Sequence, residues 1–165
     1  MPKEKSYVGL ALLILAYSLV HYIVQYIPNP IVPNANIAIN MIFPILAGYF
    51  YGPVSGMIAG ALGTGLSSII NADMYDALAI LPHMVMGMAA GYAGNRHLQF
   101  LAAISIFLGH LLNILFFWRF DLLVINSPYT LLLGLLTEST VDVVAIILFI
   151  VLLQKWLYQE DGRRW

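Results

Sequence analysis

Glu138 and Asp142 are the residues of this sequence best placed to do chemistry in an apolar setting. They are four apart, so on a helix they share one face. Thr137, Ser139 and Thr140 surround them in the most polar stretch of any hydrophobic segment. His110 and Asn113 are three apart and share a face of the preceding segment. His83 and Asn40 place further polar groups in two others. An ionisable group at hydrocarbon depth costs several kcal/mol unless it is paired or wet, so each of these residues requires a reason. Glu138 is expected to pair with a positively polarised group, with His110, Asn113 and His83 supplying further hydrogen bonds. In low dielectric such charge-assisted bonds are stronger than in water. Two carboxylates and a histidine also suit a divalent cation. A structural role is open for each: a protonated acid bonded to a neighbouring helix, Asp142 pinning its helix to the first or second segment, or imidazoles and amides bridging helices.

Other chemistries are missing. There are no cysteines, so thiol nucleophiles, thiolate metal sites and disulfides are excluded. No GxxxxGK[ST] phosphate loop, HExxH or GxSxG occurs, and no segment carries a series of arginines. The chain is not expected to be an enzyme or to hold a cofactor of its own.

The elements that must position these residues are hydrophobic. Of 165 residues, 61% are apolar and 9% charged, and the mean hydropathy is +0.87. A soluble domain is typically about 45–50% apolar and about 25% charged. Fifteen charges cannot clothe such a globule in water, which excludes a soluble enzyme and a disordered chain. The net charge of −1 offers no basic field for nucleic acid. The fold class is therefore all-α, a polytopic membrane protein solvated mostly by the lipid bilayer.

A spanning helix needs roughly 20 mostly apolar residues. Six segments qualify, at about 7–27, 36–50, 54–70, 77–94, 98–118 and 129–156, forming one transmembrane domain. The second is short and carries Pro44, which predicts a kink, a tilt or an extension by its flanks. The last is long enough to run into water. The runs are continuous rather than alternating, which argues against a β-barrel. Lys3 and Lys5 precede the first segment as in a signal peptide, but its length and the absence of a small-x-small site predict that it is retained. With six spans, Lys3, Lys5, Arg96, Lys155, Arg163 and Arg164 fall on one side and Arg119 on the other. The positive-inside rule then places both termini in the cytoplasm of a cell (inner) membrane protein.

At about 1.5 Å per residue, His83, His110, Asn113, Asn40 and Glu138 all fall about 8–13 Å below the outer boundary, and Asp142 about 20 Å. Helices distant in sequence thus bring polar groups to one level, which predicts a cavity open to the outside. Residues 28–36 hold three prolines and three asparagines, Asn29, Asn34 and Asn36, a stiff polar stretch suited to a lid over that cavity. Phe116, Phe117 and Trp118 are available to stack on a heterocycle.

Gly48, Gly52, Gly56 and Gly60 recur every four residues, and Gly52-Pro53 reads as a tight turn between two helices. Gly56 and Gly60 on one helix and Gly87 and Gly91 on the next form small-residue faces. In lipid such faces let backbones approach closely. Internal packing is the first expectation and a partner subunit the alternative.

The outer Pro/Asn loop followed by Pro44-Ile-Leu-Ala-Gly48-Tyr-Phe-Tyr-Gly52-Pro53-Val-Ser-Gly56-Met-Ile-Ala-Gly60 resembles the second and third helices of the S components of energy-coupling factor (ECF) vitamin transporters. The size, six-helix count and inward termini are similar as well. The resemblance implies a substrate-binding membrane subunit that captures a small-molecule nutrient in its outer half, beneath the first outer loop. It also implies as partners a transmembrane coupling subunit and two ATPases, which use the ATP. In that family small residues four apart on the first helix contact the coupling subunit. Here that helix offers Gly9 and Ala16 without a clean Ala-x-x-x-Ala. An alternative is an MreD-like structural scaffold that binds no small ligand. A further one is a divalent-metal transporter or intramembrane enzyme.

Overall fold

The computed structural model describes residues 7–29, 38–123 and 127–160, with side chains to residue 155. Helix α1 (Tyr7–Val24) is followed by a 3-10 turn (Ile39–Met41) that leads into α2 (Ile42–Tyr51). Then come α3 (Pro53–Asn71), α4 (Met74–Gly94), α5 (Gln99–Arg119) and α6 (Pro128–Glu160). The all-α expectation holds. Five helices are long and apolar enough to cross a membrane.

The second expected span differs. Its predicted start at residue 36, with the rest of the stretch 30–37, lies outside the described residues. From Ile39 to Tyr51 the helical segment rises only about 20 Å at about 1.5 Å per residue, less than the roughly 30 Å hydrocarbon core. It is tolerated because α2 is the hub of the bundle and touches every other helix. Met41, Ile42, Ile45, Leu46 and Ala47 are almost wholly enclosed by protein. Pro44 produces no mid-helix kink: it falls in the first turn of α2, where its missing N–H breaks no helical bond.

Around α2 the remaining helices follow the order α1, α3, α4, α5, α6, each packed on the next. The two ends of this arc, α1 and α6, turn large apolar side chains outward. Leu12, Leu15, Leu19 and Ile23 on α1, and Leu132, Leu136, Val144, Leu148 and Leu152 on α6, are exposed. Each would cost about 1.5–3 kcal/mol to hold in water rather than in an apolar phase. Their number fits helices embedded in lipid.

The glycines explain how the bundle closes. Gly52 has φ of 97°, which favours glycine, and Pro53 opens α3 directly after it, so the predicted tight turn is present. A Cβ on Gly56 would enter the Gly87 carbonyl, and one on Gly87 the Gly56 carbonyl. Gly48 is sealed by Gly87, Gly60 by the His83 backbone and Gly91 by Pro53. The small-residue faces therefore meet each other across α2, α3 and α4, as internal packing. Gly9 lies against the Tyr51 hydroxyl, and Ala16 is half-buried on α1.

Gly87→Val is expected to abolish accumulation of folded protein or lower its Tm by at least 5–10 °C, roughly 3 kcal/mol, because backbone rather than a flexible side chain blocks the space. Gly65 meets only Ile80 Cδ1 at 3.9 Å, so Gly65→Ala is expected to be neutral or stabilising by about 0.5–1 kcal/mol through helix propensity. Thermal unfolding in detergent, followed by circular dichroism, checks both.

Candidate functional site

The polar residues singled out in the sequence fall into separate groups on the inner faces of the bundle. Asp142 is 1% exposed, and its Oδ2 lies 3.2 Å from His110 Nε2 on α5. Glu138, one turn earlier on α6, is half-buried. The ligand atoms of His110, Glu138 and Asp142 all lie within 4.8 Å of one another.

Glu138 is held from the other side by the start of the second helical segment. The Ala38 N–H donates to Glu138 Oε1 at 2.8 Å, and Asn29 Nδ2 donates to Oε2 at 3.2 Å. The reason is local. The first amides of a helix have no partner inside it and favour a negative group. Ala38 caps the 3-10 turn with no side-chain cap of its own, so the carboxylate of α6 takes that place. Of the three expected lid asparagines, Asn29 thus meets the site, while Asn34 and Asn36 lie outside the described residues.

His83 forms a second node. Its Nδ1 lies 2.9 Å from the Tyr17 hydroxyl and 2.8 Å from Thr64 Oγ1, and its Nε2 lies 3.2 Å from the Asn113 amide. One buried imidazole therefore ties α1, α3, α4 and α5 together, with both ring nitrogens engaged. Asn113 Oδ1 has no partner as the amide is oriented. Exchanging the amide nitrogen and oxygen would let that oxygen accept from His83 N–H, with Tyr17 and Thr64 donating to Nδ1. Asn40 is buried in the 3-10 turn, where its Oδ1 has no partner.

A third cluster was not anticipated. Asp76, in the first turn of α4, accepts from the Ser67 hydroxyl at 2.7 Å and lies 3.2 Å from His21 Nε2. His21, near the end of α1, thus pairs with a buried carboxylate. Tyr17 stacks on His21 and meets His83 edge-on, so the clusters adjoin. The available signals were the Tyr17/His21 spacing of four and Thr64, four beyond Gly60 on the small-residue face. Nothing in the sequence marked Asp76, which reads as a loop residue until α4 is seen to begin at Met74 behind an Asp73 cap.

The aromatic residues near the end of α5 are engaged elsewhere. Phe117 packs edge-on against Tyr75 at 5.1 Å, Phe116 tilts against Phe120, and Trp118 is exposed.

Chemically, the His110–Asp142–Glu138 cluster can accept hydrogen bonds, hold positive charge or ligate a cation. The His83 node is a brace whose donors and acceptors are occupied by the protein. Removing one partner of a buried pair leaves the other uncompensated, at about 3–5 kcal/mol, whereas replacing both with apolar groups is often nearly neutral. His110→Leu is accordingly expected to lower stability by about 3–5 kcal/mol, and His110→Leu/Asp142→Leu to recover most of that loss in thermal unfolding. Equal destabilisation in the single and double variants would contradict the pairing.

Comparison with family models, curated proteins and solved structures returns no match.

Proposed function

We propose that this protein is a membrane-embedded binding subunit that captures a small, water-soluble nutrient from outside and passes it to partner subunits for ATP-driven uptake. The observation that carries this reading is the position of Glu138. It is an acid on an apolar helix, turned toward the bundle and gripped by Ala38 and Asn29 on either side of the Pro/Asn stretch. An acid that served only to hold helices together would be expected to pair with another helix's side chain. This one answers instead to the backbone and side chain of a connecting segment, which is what a loop that opens and closes over a ligand requires.

The orientation follows from the basic residues, with both termini and the Asn95–His97 turn in the cytoplasm. The outer Pro/Asn segment then faces the source of the nutrient. The resemblance to ECF S components supplies the partners, a transmembrane coupling subunit and two ATPases, and fits a chain with no phosphate loop of its own. In this reading Glu138 is the first ligand contact, with Asp142 and His110 behind it, Asn113 and Asn40 at its edge, and His83 as the brace that holds Asn113. A scaffold of the MreD type is favoured only by the His83 node, which needs no ligand to be satisfied.

Thermal-shift screening of the purified protein against vitamins separates the two readings. A ligand present at about 100 times its Kd stabilises by about 2.7 kcal/mol, or roughly 5–10 °C in a chain of this length. The wild type is expected to show such a shift with one compound, and Glu138→Ala to show none while remaining helical. No shift in the wild type with any vitamin and no binding of a divalent metal ion, or an equal shift in Glu138→Ala, would contradict the proposal.

A further inference from the structure

The geometry points to a binding site for a first-row divalent transition-metal ion at His110, Asp142 and Glu138, a step that names the chemical class recognised and rests on reading this cluster as a capture site. The first argument is charge. Two carboxylates sit on one face of α6, within the bundle, and the group beside them able to carry positive charge is His110. Among the described residues Arg96, Arg119 and Lys155 are exposed, far along the helices or at their ends. With the imidazole neutral, as ligation requires, a monovalent ligand leaves the cluster negative. A divalent ion facing two carboxylates and a neutral imidazole makes it neutral, the state that a low-dielectric surrounding favours.

The second argument is spacing. Around an ion with bonds of about 2.1 Å, adjacent ligand atoms lie about 3.0 Å apart in octahedral geometry and about 3.4 Å in tetrahedral. The 3.2 Å between His110 Nε2 and Asp142 Oδ2 falls between these values. An ion can therefore replace the proton of that pair with both side chains nearly in place. Glu138, within 4.8 Å of both, closes the third position by a rotation of its longer, half-buried side chain. One of its oxygens can ligate while the other keeps the Ala38 N–H, the outer-shell contact that orients a ligating carboxylate.

The third argument is independent of the triad. Ser139 Oγ is fully buried and has no hydrogen-bond partner, and Ser139 lies three residues before Asp142 on the same helix face. A buried hydroxyl left unpaired on the helix that carries two of the three ligands is a group that the water or outer shell of a bound ion can satisfy. One nitrogen with two or more oxygens suits manganese, iron(II), cobalt or zinc rather than copper(I). Three protein ligands leave coordination positions open, so the ion can exchange.

The test uses purified full-length protein stripped with a chelator and titrated calorimetrically with MnCl2, CoCl2 and ZnCl2. At least one ion is expected to bind one per chain with a Kd below about 10 µM. His110→Ala and Asp142→Asn are each expected to weaken it by more than the roughly 10–100-fold caused by losing an outer-shell partner. X-ray absorption of the zinc or cobalt complex of the wild type needs no variant, and is expected to show one imidazole nitrogen with oxygen ligands. A Kd above about 100 µM for all three ions overturns the inference. So does binding unchanged by both substitutions, or a shell without imidazole. A vitamin shift that depends on Glu138, found with no metal binding, removes the metal inference alone, whereas absence of both removes the capture reading as well.

Discussion

A carboxylate withdrawn from water must be given donors, and the arrangement of this bundle follows from that requirement at residue 138. The Ala38 amide that meets Glu138 is free because it opens a helical segment. That segment is short and lies at the centre, where protein rather than lipid covers its ends and its irregular first turn. The same acid draws in Asn29, five residues past the end of α1. One side chain on α6 thus holds together the exit of α1 and the entrance of the central helix, two ends of a stretch with three prolines. Asp142, a turn further along, meets the same requirement through His110.

These polar contacts depend on close backbone approach. Water does not drive helices together in lipid, so contact area must do so. The mutual fit of Gly48, Gly56 and Gly87 brings α2, α3 and α4 together on the side opposite α6. It is this approach that sets Thr64 of α3 beside His83 of α4 and lets Tyr17 reach across from α1. Packing and polarity are therefore coupled. A larger residue in the glycine seam would separate the groups that satisfy one another, and leave imidazole and hydroxyls unpaired where no water replaces the lost partner.

Much of this was legible in the sequence, for identifiable reasons. Continuous apolar runs mark helices, and counting residues along them predicted meetings between polar groups of distant helices: His83 does meet Asn113, while Asp142, counted as lying deeper, meets His110. The Gly52-Pro53 turn was legible because few backbones other than a turn accept that pair. The short reach of α2 was not, because hydropathy does not tell a helix wrapped in protein from one wrapped in lipid. The His21–Asp76 pair escaped because both residues sit near helix ends, where a polar side chain reads as solvated. The amide of Ala38 escaped for a deeper reason: a backbone donor has no signature in residue type, and only the fold shows which carboxylate it faces.

The account stands on Glu138 being reachable by solutes from the outer side of the membrane. The chain lacks cysteine, so single substitutions Glu138→Cys, Thr137→Cys and Val141→Cys can be labelled without background. Thr137 and Val141 are exposed on the lipid-facing side of α6. In intact cells treated with a membrane-impermeant thiol reagent, the thiol at position 138 is expected to react, and those at 137 and 141 to stay unmodified. Labelling at 138 only from the cytoplasmic side of inverted vesicles, or equal reactivity at all three positions, would contradict the account.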